Sequence, residues 1–172
     1  MNHREWMNKM TAHPLWQRWQ TWRHPGMVCV LLAGKLWAAD LKEGRFLRTA
    51  SVPLEEMTEN AVAAAFRALA EQGMKRKEIL LLVNFPDLRL ENRKYPAMTE
   101  EEMVETMYWE EDRLFRTDEP MSPGWEVTSH SPLGWEVHVE AVKKETLSLW
   151  EKGAALAGCH VGKALPVTAV PL

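Results

Sequence analysis

The chain has little of what marks secreted or membrane-spanning proteins. Only two cysteines, Cys29 and Cys159, occur in 172 residues, and both stand in strand-like apolar surroundings. Such cysteines are expected to be buried free thiols in a reducing compartment rather than a disulfide. No apolar stretch reaches the ~20 residues that a membrane-spanning helix needs, and the N-terminus lacks the apolar core of a signal peptide. These absences predict a soluble cytoplasmic protein.

Side chains in the patterns that catalysis and metal binding require are also scarce. His130 and His138 lie on one predicted hairpin without a third ligand, and Cys159-His160 are adjacent rather than spaced as zinc ligands are. No nucleophile elbow is present. A ribonuclease-H-like nuclease needs three or four carboxylates for two Mg²⁺ ions, and Asp40 alone cannot supply them. The sequence therefore predicts no catalytic residues, no metal and no cofactor.

Charge is balanced overall but unevenly distributed. The net charge is −3, yet residues 1–26 carry four basic residues against one acid. Residues 99–119 carry nine acids against two arginines. An acidic surface of this kind repels phosphate, which argues against a nucleic-acid partner.

Residues 1–26 form a Trp-rich segment in front of the first predicted strand. Pro14 suits the first turn of a helix, and the residues that follow it form the apolar stripe Leu15, Trp16, Trp19 and Trp22. With its basic opposite face, this amphipathic segment is expected to cover this protein's own sheet, to form a homodimer, to lie peripherally on a membrane surface or to pack against a partner.

Residues 27–86 predict three strands, one helix and a further strand. The runs MVCVLLA, KLWAADL and RFLRTASV are separated by Gly34 and by Lys42-Glu43-Gly44, and short glycine-bearing connections favour an antiparallel meander. Thr58 can cap a helix that ends at Gly73. Its apolar stripe is Val62, Ala65, Phe66 and Leu69. The unbroken apolar run Ile79–Val83 then predicts a central strand covered on both faces.

Residues 88–115 predict a half-buried strand and a well-capped helix. The alternation of leucine with charged residues in Leu88–Tyr95 predicts one buried face. Thr99 and Glu102 form a capping box, flanked by Met98 and Met103 as a hydrophobic staple. At ~100° per residue the apolar face of the helix is Met103, Val104, Met107, Tyr108, Leu114 and Phe115.

Two residues depart from this helical pattern. Glu111 falls within the apolar stripe, where its carboxylate is expected to reach a neighbouring arginine. Trp109 falls within the charged face, where it either packs against the next subdomain or contacts a partner, because large aromatics are enriched at interfaces.

The remaining chain predicts a hairpin, a helix and a returning strand. Trp125–Ser131 and Trp135–Val142 alternate around Pro132-Leu133-Gly134, and this hairpin could pair with Leu88–Tyr95. The helix 145–157 is apolar on two sides, which predicts a position between two layers. One side is Leu147, Trp150, Ala154 and Ala157, and the other is Leu149 and Leu156. Cys159–Val170 then returns as a strand.

This order of elements, together with short runs of sequence, resembles the PilM family of type IV pilus assembly proteins and its relatives in type II secretion and cell division. The segment VNFPDLRLENRKYPAMTEEEMVETMYWEEDRLF carries the likeness, at Pro86, Arg89, Pro96, Glu102 and Glu110-Glu111. The later run HVEAVKKETLSLWEKGAALAG is similar to the strand and helix of that family. The resemblance covers about residues 27–170.

The resemblance implies an α/β fold, the ribonuclease-H-like half of an actin-like protein with a small inserted strand-helix-strand-strand module. The expected domains are the Trp-rich segment 1–26, a ribonuclease-H-like subdomain of residues 27–86 and 159–172, and an inserted module of residues 87–158. Relatives that bind ATP have a D-x-G-[ST] hairpin between the first two strands. Here that turn is LLAGKLW, without the acid and with Lys35, Leu36 and Trp37 crowding it, so we expect a pseudo-ATPase.

The family's other activity, as the resemblance implies, is to hold a peptide. The chain would be a non-enzymatic cytoplasmic adaptor of a bacterial pilus, competence or secretion platform that binds the cytoplasmic tail of a single-span inner-membrane protein. The alternative is a metal-dependent nuclease or phosphotransfer enzyme with a degenerate version of the same fold. Edge strands commonly receive extended peptides. The expected groove residues are Trp37, Phe85, Leu88, Leu90, Tyr95 and Trp109.

Overall fold

The chain folds as two sheets, each with helices, in a computed structural model that describes residues 26–42, 45–75, 77–110, 113, 115 and 118–166. The predictions for residues 1–25 and for Glu111 fall outside these residues. In chain order the elements are β1 (Gly26–Leu32), β2 (Lys35–Lys42), β3 (Arg45–Pro53), α1 (Glu59–Glu71), β4 (Glu78–Val83), β5 (Arg89–Tyr95), α2 (Glu100–Glu110), β6 (Met121–Ser131), β7 (Gly134–Lys143), α3 (Lys144–Leu156) and β8 (His160–Pro166).

The larger sheet has five strands in the order β3-β2-β1-β4-β8. β1, β2 and β3 are antiparallel neighbours, which confirms the meander. β4 runs parallel to β1 and to β8. Because consecutive residues Ile79, Leu80 and Leu81 are all buried, both faces of β4 are covered, as the unbroken apolar run predicts.

Helices α1 and α3 pack with this sheet and supply its largest buried side chains. Thr58 caps α1 by accepting a hydrogen bond from the Ala61 N–H at 3.1 Å, and Gly73, with φ +93°, ends it. Trp150 of α3 is fully buried, with Phe66 of α1 edge-on at 6.2 Å between ring centroids. These aromatic contacts fix the helical layer of the larger unit.

The smaller unit is a three-stranded sheet in the order β5-β7-β6 with α2 on one face. β6 and β7 form the expected hairpin, and β5 pairs antiparallel with β7. Met103 and Met107 of α2 lie in one apolar cluster with the buried strand residues Trp125, Trp135, Val137 and Val139. The alternation of β7 places its odd-numbered residues under α2, so helix and sheet share a single small core.

Several details differ from the sequence predictions. Leu90 of β5 is exposed and Leu88 only half-buried, so the expected buried leucine face is wrong, because β5 lies at the edge of a sheet whose core is on the other face. Tyr108 is exposed rather than part of the apolar face of α2. Leu156 is also exposed, so α3 is buried on one side, through Trp150, Gly153 and Ala154.

The boundaries of the two units also differ in one place from the expected 87–158. The smaller unit begins at Asp87 and ends at Lys144, and the chain from Glu145 belongs to the larger unit. α3 therefore belongs with the five-stranded sheet, where its Gly153 lies against Val62 of α1.

Candidate peptide-binding site

The outer edge of β5 is the first component of the candidate site. β5 pairs with β7 on one side, and no described strand pairs with its other side. Along such an edge, alternate residues point backbone N–H and C=O groups away from the sheet, which allows another strand to be added. The seven residues of β5 are enough for a short extended peptide.

Side chains of β5 divide between the two faces of the sheet. Tyr95 faces α2, since it packs against the apolar cluster. Leu90 lies five residues earlier and therefore points to the opposite face, where it is 44% exposed. On that same face Lys94 forms an ion pair with Glu136 at 2.8 Å, and the Glu136 pKa is lowered chiefly by this contact. The side chains of a strand added to this edge would alternate between the face of Tyr95 and the face of Leu90.

Tyr95 connects the edge strand to the end of α2. Its hydroxyl donates a 2.6 Å hydrogen bond to Oε2 of Glu110. Burial, followed by the bond and charge of Glu110, raises the pKa of Tyr95 to about 12. Arg93 lies 3.9 Å from the same carboxylate and forms a 2.9 Å ion pair with Glu91. This network holds the C-terminal end of α2 against β5.

The N-terminal end of α2 is held by the predicted capping box. The Thr99 N–H donates to Glu102 at 2.8 Å, and the Glu102 N–H donates to Thr99 Oγ1 at 3.3 Å. The hydrogen bonds that the Glu102 carboxylate accepts from the Thr99 N–H and from the Thr99 hydroxyl, the latter at 3.0 Å, lower the pKa of Glu102. Met98 and Met103 both belong to the apolar cluster, as the staple predicts. With both ends held, the outward residues of α2 have fixed positions.

Trp109 and Tyr108 stand side by side on the outside of α2. Trp109 is 69% exposed and Tyr108 is 70% exposed, and their rings meet edge to face with centroids 5.8 Å apart. The sequence reasoning selected Trp109 and missed Tyr108, because Tyr108 lies at the border of the apolar arc. The adjacent aromatic residues Tyr108-Trp109, three and four residues after Glu105, were the sequence feature that could have indicated an exposed aromatic pair.

The two groove candidates in the larger unit have different surroundings. Phe85 is 7% exposed and stacks on Trp150, with centroids 5.8 Å apart and an interplanar angle of 15°. It is a core residue rather than a surface for a peptide. Trp37 of β2 is 44% exposed. The smaller unit thus contains Leu88, Leu90, Tyr95 and Trp109, with Leu90 and Tyr95 on opposite faces of its sheet, while Trp37 belongs to the other unit.

The β1–β2 turn has the geometry of a closed two-residue hairpin. Leu32 pairs with Lys35, and the intervening Ala33 and Gly34 have φ of +49° and +71°, the signs of a type I′ turn. The Gly34 carbonyl already accepts the Leu54 N–H at 2.8 Å. Asp40 pairs with Met27 at the far end of the hairpin, six residues or roughly 20 Å from the turn.

Two further observations concern metals and membranes. Within the described ranges, no group of three or more His, Cys, Asp or Glu side chains is arranged to hold a metal ion. Among those same residues, none of the helices has the length and apolar character needed to span a bilayer. Cys29 and Cys159 are free thiols, and burial raises the pKa of both.

The fold belongs to a recognisable class. The chain contains a β-β-β-α-β layer, then an inserted strand–helix–hairpin unit, and then a returning helix and strand. This order is that of the ribonuclease-H-like half of an actin-like fold with a small insertion. Solved structures agree. The chain is similar to PilM in the PilM-PilN type IV pilus biogenesis complex, with TM-score 0.64 and 18% identity over 84% of this chain and 46% of the other. The predicted fold class is confirmed.

A second solved structure has the same fold. The cytoplasmic domain of EpsL, an inner membrane component of the type II secretion system of Vibrio cholerae, gives TM-score 0.56 and 17% identity over 87% of this chain and 60% of the other. The chain thus spans roughly half of each of these structures. No protein-family model and no curated protein sequence matches it.

Proposed function

We propose that this protein is a non-enzymatic adaptor of a type IV pilus, competence or secretion platform, and that it binds the cytoplasmic tail of a single-span inner-membrane protein. The observation that carries the proposal is the fold shared with PilM, which was solved in complex with PilN. The similarity to the cytoplasmic domain of EpsL supports the same setting at the cytoplasmic side of the inner membrane.

The surface of the smaller unit supports a role in binding extended peptides. The outer edge of β5 offers backbone hydrogen bonds, while Leu90 on one face and Tyr95 on the other offer apolar contact. Backbone pairing supplies affinity in such complexes, and pockets for alternate side chains supply specificity. In the proposed complex the tail adds as a fourth strand beside β5.

The proposed lack of ATPase activity is supported by the β1–β2 turn. A phosphate cradle needs unpaired backbone N–H groups and an acid near the metal. Here the turn contains only Ala33 and Gly34, and Asp40 is at the far end of the hairpin. We expect ATP with Mg²⁺ at about 1 mM to leave the melting temperature unchanged, whereas a bound nucleotide would raise it. A clear increase, or nucleotide turnover, would favour the phosphotransfer alternative.

Tail binding can be tested with synthetic peptides. The probes are the cytoplasmic tails of single-span inner-membrane proteins of the same organism, labelled for fluorescence anisotropy. Leu90→Ser should weaken binding about tenfold, because it removes an apolar contact next to the edge. Leu133→Ser is the matched control, since Leu133 is 91% exposed at the tip of the β6–β7 hairpin. Equal effects of the two variants, or no binding by any tail, would contradict the proposal.

A further inference from the structure

The solvent-facing side of α2 combines acidic and aromatic residues in one patch. We define the α2 outer face as Glu101, Glu105, Tyr108 and Trp109. At ~100° per residue these four residues lie within an arc of about 100°, opposite the buried Met103 and Met107. Glu105 precedes Tyr108 by three residues and Trp109 by four, so its side chain is on the same helical face as both rings.

Folding does not account for this patch. The first-turn acids Glu100, Glu101 and Glu102 favour the helix N-terminus, but Glu105 lies beyond the first turn. In the part of the chain that the structure describes, Glu101 and Glu105 have no ion-pair partner. Tyr108 and Trp109 leave most of their surface in water, and neighbouring exposed aromatics of this size mark interaction sites.

The chemistry of the patch selects its ligand. α2 carries five glutamates and no basic residue, so the complementary ligand is cationic. Exposed tryptophan and tyrosine rings accept a guanidinium by stacking and cation–π attraction, and a neighbouring carboxylate accepts its N–H groups in pairs. Arginine does both at once, whereas lysine is a strongly hydrated point charge. Anionic lipid and nucleic acid would be repelled.

We propose that the α2 outer face binds an arginine-bearing segment of the membrane partner's tail, next to its membrane span. The choice of partner rests on the proposed function. Cytoplasmic segments beside membrane spans carry an excess of lysine and arginine, which gives a tail the required charge. The α2 outer face is separate from the β5 edge. In the proposed complex, an extended part of the tail therefore pairs with β5, and a basic part of the same tail contacts α2.

The test uses a labelled 15-residue peptide in which arginine alternates with alanine and serine, and the same peptide with lysine. Binding to the full chain is measured by fluorescence anisotropy. We expect the arginine peptide to bind several-fold more tightly than the lysine peptide. Trp109→Ala and Glu105→Lys should each weaken binding about tenfold or more. Raising NaCl from about 0.05 M to about 0.5 M should weaken binding of the arginine peptide to the wild-type protein.

Matched controls lie in the larger unit. Leu47→Ala removes another exposed apolar side chain, and Glu71→Lys reverses an exposed acid on α1. Both should leave the dissociation constant within about twofold, as expected of surface changes away from the site. Urea unfolding midpoints for all four variants show whether each protein is folded, and the exposed positions of Trp109 and Glu105 favour intact folding.

The outcomes separate this inference from the proposed function. If both peptides bind equally, or if the Trp109 and Glu105 variants bind as wild type does, the inference is wrong. If the natural tails still bind through Leu90, the proposed function stands without it. Vesicles of phosphatidylglycerol and phosphatidylethanolamine provide the remaining comparison, because flotation that depends on Trp109 would assign the face to a membrane and overturn the proposal.

Discussion

The contact between α1 and α3 allows a demanding prediction about packing. Gly153 of α3 faces α1, and a Cβ atom placed on it would lie 2.5 Å from Cγ1 and 2.7 Å from Cβ of Val62, and 3.0 Å from the Glu59 carbonyl oxygen. Carbon atoms in contact are ordinarily about 3.5–4.0 Å apart. An alanine at this position would therefore push the two helices apart by about 1 Å.

Two opposing effects decide the stability of Gly153→Ala. Alanine is favoured over glycine in a helix interior by about 1 kcal/mol. Overpacking a well-filled core costs about 1–3 kcal/mol, and here the neighbours cannot move aside, because Val62 is β-branched and stiff at χ1 and the Glu59 oxygen is backbone. The separation would also loosen the packing of Trp150. We expect a net loss of about 1–2 kcal/mol, or a melting temperature about 2–8 °C lower.

Urea unfolding of the full chain measures this change. Ala64→Gly, at an exposed position in the interior of α1, isolates the difference in helix propensity and should cost about 1 kcal/mol. Val62→Ala removes the shortest contact, so Gly153→Ala should be less harmful in that background than in wild type. The reasoning is refuted if Gly153→Ala is as stable as wild type, or if the two changes are simply additive.

Three further predictions follow from local contacts. Tyr95→Phe deletes the hydrogen bond to Glu110 and should destabilise by about 1 kcal/mol at neutral pH. Because the folded pKa of Tyr95 is raised, the difference in denaturant midpoint should shrink as pH rises from about 10 towards about 12. Ala33→Gly removes the backbone strain of a non-glycine residue in the left-handed region and should stabilise the folded protein by about 0.5–1 kcal/mol. A lower melting temperature would contradict this. Thr99→Ala removes the hydroxyl of the capping box and should destabilise the protein. The difference in stability from wild type should become smaller in acid, because a protonated Glu102 accepts the bond from the Thr99 hydroxyl less strongly. A pH-independent difference would contradict it.

Much of the fold was predictable because local signals and long-range packing agree. The glycine-bearing connections gave the meander, Thr58 and the Thr99–Glu102 pair gave the helix starts, and the continuous apolar run gave β4. These are short-range features whose chemistry is complete within a few residues. The hairpin around Pro132-Leu133-Gly134 was predictable for the same reason.

The misses concern burial, which depends on neighbours that are distant in sequence. The leucines of Leu88–Tyr95 look like a buried face, yet the core of the small sheet lies on the other side, and Leu90 remains exposed. Phe85 follows β4 in a turn-like context, but Trp150 from α3 stacks on it. Helical periodicity placed Tyr108 among the apolar residues, although its angle falls at the border. No pattern within one element settles such cases.

The hydrogen bond from the Lys143 N–H to Asp87 Oδ2, at 3.1 Å, has an evolutionary consequence. It joins the first residue of the smaller unit to a residue at its end, so the two ends of this unit lie next to each other. A module attached in this way can be exchanged, enlarged or deleted without cutting the layer that carries it, because a short loop would bridge the gap. The length and sequence of this unit can therefore change while the five-stranded sheet stays unchanged.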